Sequence, residues 1–216
     1  MIGVCCSFIK YFPIARPQKE IAKCSYIEMK VRINKLRKSL QLNDSKLNYD
    51  LIEKNFVSVI VDSIIPYWYG TPWDFNGITQ EPGKGAIACG YFISTVMRDA
   101  GFNVNRVKLG QAASQTIIRH FAEQKTIKIF YDNPLDSTLS YVRSCGKGLF
   151  IVGLDYHVGF LYNDGNSIWF IHSKWIDPKA VVKEAASSSG ILYYSRYRIV
   201  GKVSSNKRLL RLWLEE

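Results

Sequence analysis

Two strand-like runs, residues 157–162 and 167–172, flank the tetrapeptide Asn163-Asp164-Gly165-Asn166. Asp-Gly between apolar runs is the strongest short-range signal for a β-hairpin. With Asp164 and Gly165 as the two central turn residues, Asn163 pairs with Asn166. The same register carried outward sets His157 directly opposite His172, and Gly159 opposite Phe170, on one face. Opposed residues of that kind have Cβ atoms about 4.5–5.5 Å apart, so two imidazoles would meet across the ladder. Gly159, without a side chain, leaves room beside them. A slip of one residue would send the rings to opposite faces. The continuous apolar run Leu149-Phe150-Ile151-Val152-Gly153-Leu154 reads as a buried strand next to this hairpin.

A second constraint lies upstream. The glycine-rich stretch Glu81-Pro82-Gly83-Lys84-Gly85 leads into Cys89, which opens an apolar, helix-like run that stops at Gly101. A thiol at a helix N-terminus meets unpaired N–H groups and the positive end of the helix dipole. Both favour thiolate and draw the pKa below the free value of about 8.5. Cysteine is also a common small core residue, and by itself Cys89 is no site. Paired with His157 and His172, it forms a thiol, an imidazole that can take the thiol proton, and a second polar group that fixes the ring's tautomer and angle. Asp155 is a weaker candidate for the orienting role, because a residue two positions earlier on the same strand reaches the ring poorly.

Composition narrows the class. A chain of 216 residues with 47% hydrophobic and 13% aromatic content suits one folded domain with a real core. The formal charge of +11 points to an anionic neighbourhood: an envelope polymer, a lipid face or nucleic acid. Five cysteines (Cys5, Cys6, Cys24, Cys89, Cys145) form neither a disulfide framework nor a zinc-type spacing, and the three histidines make no H-x-x-x-H pair. No metal or cofactor is expected. No apolar run reaches the length of a membrane span, and Met1 to Ala15, with Lys10 in its middle and no basic start, does not read as a signal peptide.

The remaining elements are expected as follows. Residues 1–44 form a basic appendage, frayed or loosely docked, in which Val31, Ile33, Leu36 and Leu40 give a short amphipathic helix. The main domain covers residues 45–216. A helix over 47–65, capped by Asn48 or Asp44-Ser45, ends at Pro66. The aromatic cluster Pro66-Tyr67-Trp68-Tyr69-Gly70 precedes a long loop holding Trp73, Asp74 and Phe75, candidates to line a cleft. Further helices are expected over 111–121, with His120 as a capping or surface residue, and over 135–144. A strand is expected at 126–130, a helix at 179–186, a flexible connector at 187–190, the remaining strands within 191–203, and an amphipathic end helix at 207–214. Tyr193-Tyr194-Ser195-Arg196-Tyr197-Arg198 mixes aromatics with arginines, but a strand with one polar face accounts for it better than base stacking, so nucleic acid is not the expected partner.

Together these residues resemble the NlpC/P60 family of papain-like cysteine peptidases. Pro66-Tyr67-Trp68-Tyr69-Gly70 is similar to that family's Pro-Tyr-x-Tyr-Gly segment. Cys89-Gly90-Tyr91-Phe92 resembles its Cys-Ser-Gly-Phe helix start. His157-Val158-Gly159-Phe160-Leu161 is similar to its His-Val-Gly-Ile-Tyr strand, and Phe170-Ile171-His172-Ser173 to the Ile-His-Ala strand that follows. The resemblance spans roughly residues 47–172. It implies an α+β, papain-like fold with N-terminal helices packed on an antiparallel sheet. It also implies that Cys89 is the nucleophile, His157 the base and His172 the orienting third member, with Tyr67 beside the thiolate near the oxyanion position. The implied reaction is amide hydrolysis through a thioester. The implied substrate is the stem peptide of bacterial peptidoglycan, in the cell envelope or outside the cell. Two departures bear on the substrate: Ala88 stands where the family has aspartate, and the loop from Gly70 to Cys89 is longer. The same triad also serves acyltransferases and amidases of other substrates. The basic charge alone is compatible with a non-enzymatic binder of anionic polymer.

Overall fold

The computed structural model describes residues 24–42 and 48–215. Cys5, Cys6 and the alternative cap Asp44-Ser45 lie outside them. The protein is α+β. Among the described residues, six strands form one antiparallel sheet in the order β1-β6-β2-β3-β4-β5. These are β1 (Lys128–Tyr131), β2 (Gly148–Leu154), β3 (Val158–Asn163), β4 (Ile168–Ser173), β5 (Val181–Ala185) and β6 (Tyr197–Lys202). β2 lies in the middle of the sheet and is buried along its whole length, which explains its uninterrupted apolar run.

Helices cover both faces. On one lie α1 (Tyr26–Leu42), α2 (Tyr49–Ser58), α3 (Ile65–Trp68), α4 (Cys89–Ala100), α5 (Arg106–Gly110), α6 (Ser114–Phe121) and α9 (Lys207–Glu215), with Leu149, Ile151, Phe160 and Ile199 turned toward that layer. On the other lie α7 (Leu135–Ser144) and α8 (Gly190–Tyr194), packed on Phe150, Val152, Leu161 and Phe170. The alternation of β2 and β3 residues between the two layers is the period of two that a sandwiched strand must show.

Several expectations are corrected. The helix that begins behind the Asn48 cap does not end at Pro66. A π-helical turn over Val59–Ile64 interrupts it, and the chain stays helical through Pro66 in α3, ending after Trp68. The helix expected over 111–121 is α6, which starts three residues later at Ser114 and buries Ile117, Ile118 and Phe121; the short α5 before it lies outside the expected elements. The helix expected over 179–186 is strand β5, in which Val181 and Val182 favour an extended backbone. The connector at 187–190 is ordered: it carries a 3₁₀ turn, and buried Ser189 accepts from the Leu192 N–H to cap α8.

Nor is the basic N-terminal segment loosely docked where it is described. Met29, Ile33 and Arg37, one turn apart on α1, are buried. Tyr26 donates to Asp99 on α4 at 2.7 Å and accepts from Trp68 Nε1 at 2.9 Å, while Arg37 Nε donates to the Trp213 carbonyl at 2.5 Å. The sequence hid this because the buried stripe of α1 is narrow and includes an arginine. Replacing Tyr26 with Phe removes both hydroxyl bonds and should lower stability by about 1–3 kcal/mol. Urea unfolding checks it, and an unchanged midpoint would mean that α1 contributes little.

Candidate active site

Cys89 is the first residue of α4, behind an N-cap, Ala88, that offers no side-chain acceptor. The N–H groups of the first turn therefore have no side-chain cap. Gly90 is required by packing: a Cβ there would lie 2.2 Å from the Gly110 carbonyl oxygen, so α4 and α5 could not approach as they do. Cys89 is half-buried and is a free thiol. Burial pushes this thiol up from its ordinary value, partly offset by the backbone N–H groups of Val158, Gly90 and Cys89. The expectation of a lowered thiol pKa is thus reversed, because desolvation outweighs the helix end.

The hairpin carries both histidines, in a register that differs from the expected one. Asn163 pairs with Ile168, not Asn166, and Phe160 with Ile171. The loop therefore has four residues. Asp164 Oδ1 accepts from the N–H groups of Asn166 and Ser167, and Asp164 N–H donates to the Ser167 carbonyl. These bonds favour a wider loop over a two-residue turn. The shift moves each partner by two positions, an even number, so the faces are preserved. His157 and His172 share a face diagonally, and continuing the register sets Gly159, not His157, opposite His172. A Cβ on Gly159 would lie 2.9 Å from His172 Cβ.

His157 Nε2 lies 2.8 Å from His172 Nδ1, with both rings buried. Phe170 stacks on His172 at 3.9 Å between centroids, and Trp175 meets the His157 ring edge-on at 4.9 Å. Beyond His172, Glu184 Oε1 lies 3.4 Å from Nε2, within ion-pair reach but outside hydrogen-bond geometry, and neither atom has a hydrogen-bond partner. Glu184 Oε2 takes the Lys174 ammonium at 2.9 Å. Burial acts to raise the Glu184 carboxyl, but the polar groups of His172, Lys174 and Ser189 around it overcome this and hold the group at about 2. Burial pushes both imidazoles below their ordinary value, His157 furthest, because the neighbouring His172 adds to the effect.

These facts favour one arrangement of protons. An ionised Glu184 is satisfied by a proton on His172 Nε2. His172 Nδ1 is then a lone pair and accepts from His157 Nε2–H. His157 Nδ1 is left as a buried lone pair with no partner. Asp155, the weaker orienting candidate, is excluded: its carboxylate accepts from Ser195 Oγ and from the N–H groups of Arg196 and Tyr197.

Cys89 and His157 open on one cavity of about 600 Å³. α4 packs on the face of β3 that carries Phe160, with Phe92 edge-on to it at 6.0 Å, whereas the histidines belong to the other face. Thiol and ring share the cavity at the rim of the sheet, where the Asp155-Tyr156 turn ends. No hydrogen bond joins them; His157 Nδ1 is the unpaired atom. Trp73 lines the cavity, together with Phe75 and Tyr156. Asp74 caps its own loop, accepting from Asn76 N–H at 2.8 Å, and is exposed. Tyr67 is placed elsewhere: its hydroxyl donates to the Cys24 carbonyl at 2.9 Å, and it borders a separate cavity with Cys24 and Arg32. It does not serve the oxyanion position. Sequence reasoning missed Glu184, Trp175 and Tyr156. Glu184 was hidden by the helix expected there, although Val181-Val182 signals a strand that would bring it beside His172.

No protein-family model, no curated protein and no solved structure matches this chain. Among the described residues, no helix is long and apolar enough to cross a membrane.

The lowered histidines set an acid limit on stability. A histidine held neutral in the fold but free to protonate when unfolded contributes stability above about pH 6.5, lost as pH falls toward its folded value. Glu184, ionised in the fold, contributes in the same sense between about 4.5 and about 2. Stability should therefore decline from pH 6.5 downward, and a His172→Gln variant should show a flatter decline between about pH 6.5 and 5. Urea unfolding at several pH values checks this; identical slopes would contradict it.

Proposed function

We propose that the protein is a cysteine-dependent amide hydrolase of papain-like type, as its resemblance to NlpC/P60 peptidases implies. The observation that carries the proposal is the His157–His172 bond at 2.8 Å, which leaves Nδ1 unpaired on a histidine that lines the same cavity as Cys89. The raised thiol and the neutral ring describe a general-base pair and not a preformed ion pair. As Cys89 Sγ bonds to the substrate carbonyl carbon, its proton passes to His157 Nδ1. The Cys89 backbone N–H, with that of Gly90 beside it, stabilises the developing oxyanion. The amine leaves with the proton from His157, and water, deprotonated by the same nitrogen, hydrolyses the thioester and restores the thiol.

The resemblance implies a stem peptide of peptidoglycan as substrate, and a basic protein suits an anionic envelope. A second reading, an amidase or acyltransferase on a non-wall substrate, is supported by the cavity itself: none of its lining residues is Asp, Glu, Lys or Arg. A wall stem peptide carries free carboxylates that this lining would leave unpaired.

Amide turnover should vanish in Cys89→Ala and fall by about 10²–10⁴ in His157→Ala. Release of amine from peptidoglycan fragments and from neutral acyl anilides, compared with wild type, measures this. Equal cleavage by the wild type and Cys89→Ala would overturn the proposal. Glu184→Gln, which weakens the hold on His172, should lower kcat with little change in KM. A loss confined to KM would contradict its role in orienting the relay.

A further inference from the structure

We infer that the site accepts a neutral, extended apolar acyl group, held across two neighbouring cavities that share Tyr156 and Trp175 as a wall; this rests on the hydrolase reading above. The first chamber is the cavity around Cys89, walled by Trp73, Phe75, Ile78, Tyr91, Tyr156 and Trp175. In a chain of net charge +11, it presents no charged side chain. The second is a cavity of about 370 Å³ on the far side of Tyr156 and Trp175, which border both. Leu154, Ile176, Ile191 and Tyr194 complete it. Its one formally charged residue is Asp155, whose carboxylate is turned onto Ser195, Arg196 and Tyr197 and is held below the usual carboxylate range: burial opposes this, and those three hydrogen bonds outweigh it.

The occupant follows from the chemistry and the walls. After the amine departs, the acyl half stays tethered to Cys89 Sγ, so the surfaces nearest the thiol read the acyl group. Aromatic and aliphatic walls favour a chain by the area they remove from water, and a carboxylate or ammonium placed there would meet no opposite charge, only the side-chain amides of Asn76 and Gln111. Exposed apolar side chains otherwise unexplained border the same surface: Phe75 is 80% exposed, Tyr156 93% and Tyr194 81%. They gain cover only when the cleft is filled. An acyl group long enough to pass Tyr156 and Trp175 would contact both chambers, whereas an acetyl group would reach only the first.

Two readouts test this with full-length protein. One is the kcat/KM of acetyl, butyryl, octanoyl, glutamyl and lysyl 4-nitroanilides. The other needs no turnover: the rate at which Cys89 is alkylated by N-octyl chloroacetamide and by N-carboxymethyl chloroacetamide, located by peptide mass mapping. The expected result is a rise of at least about tenfold from acetyl to octanoyl, given the gain for each buried methylene, with charged acyl groups poorest and the octyl reagent fastest. In Ile191→Glu the octanoyl-to-acetyl ratio should collapse toward unity. A flat series, or faster labelling by the carboxymethyl reagent, overturns the inference and leaves the hydrolase intact if the anilides are cleaved in a Cys89-dependent way. Octyl-selective labelling without turnover of any anilide overturns the hydrolase reading and retains the apolar cleft.

Discussion

The bond between His157 Nε2 and His172 Nδ1 is the interaction on which the site depends. Two buried imidazoles can share a hydrogen bond only if one donates and the other accepts, so a choice of proton at one end propagates to the other. Glu184 makes that choice. Its carboxylate, anchored by Lys174, favours a proton on His172 Nε2 and thereby a lone pair on His157 Nδ1. The strand order supplies the geometry: β3, β4 and β5 are neighbours, and the three side chains step diagonally along one face. Lys174 extends the series into a partly exposed ion pair, so the buried carboxylate is not left uncompensated.

Cys89 comes to the shared cavity from the other layer. α4 is fixed on the opposite face of the sheet by Phe92 on Phe160 and by the close contact of Gly90 with Gly110. Its first residue projects past the sheet rim, beside the N–H of Val158. The long loop before Cys89 is not slack. Thr79 N–H donates to the Ala86 carbonyl and Ala88 N–H to the Gly77 carbonyl, and these hold Trp73 and Phe75 at the mouth of the cavity. Desolvation that raises the thiol is the consequence of the same enclosure, and in the proposed mechanism it is the reason a lone pair on His157 must take the thiol proton.

Much of this was legible in the chain. The hairpin, the all-apolar β2 and the Cys89 helix with its Gly101 stop follow from turn chemistry and periodicity. The shared face of the two histidines also followed, although the register did not: Asp164 caps its loop through two backbone N–H groups, a side-chain choice that an Asp-Gly pair leaves open. The error was harmless only because strand alternation has period two. What stayed hidden depends on tertiary context. Glu184 lay in a stretch whose charged residues suggested a helix, until pairing with β4 made it a strand. Tyr67 sits in an aromatic cluster whose direction is set by α1, a helix whose docking rests on a narrow stripe and on Tyr26. The sign of the Cys89 shift is a balance between helix end and burial, and burial cannot be read from a motif.

The most direct test of the relay is the ¹⁵N chemical shift of the His157 ring nitrogens, followed between about pH 5 and 8. The arrangement predicts a protonated Nε2 and an unprotonated Nδ1 throughout, with no titration near the ordinary histidine value. A proton on Nδ1, or a ring that becomes charged near pH 6.5, would contradict it.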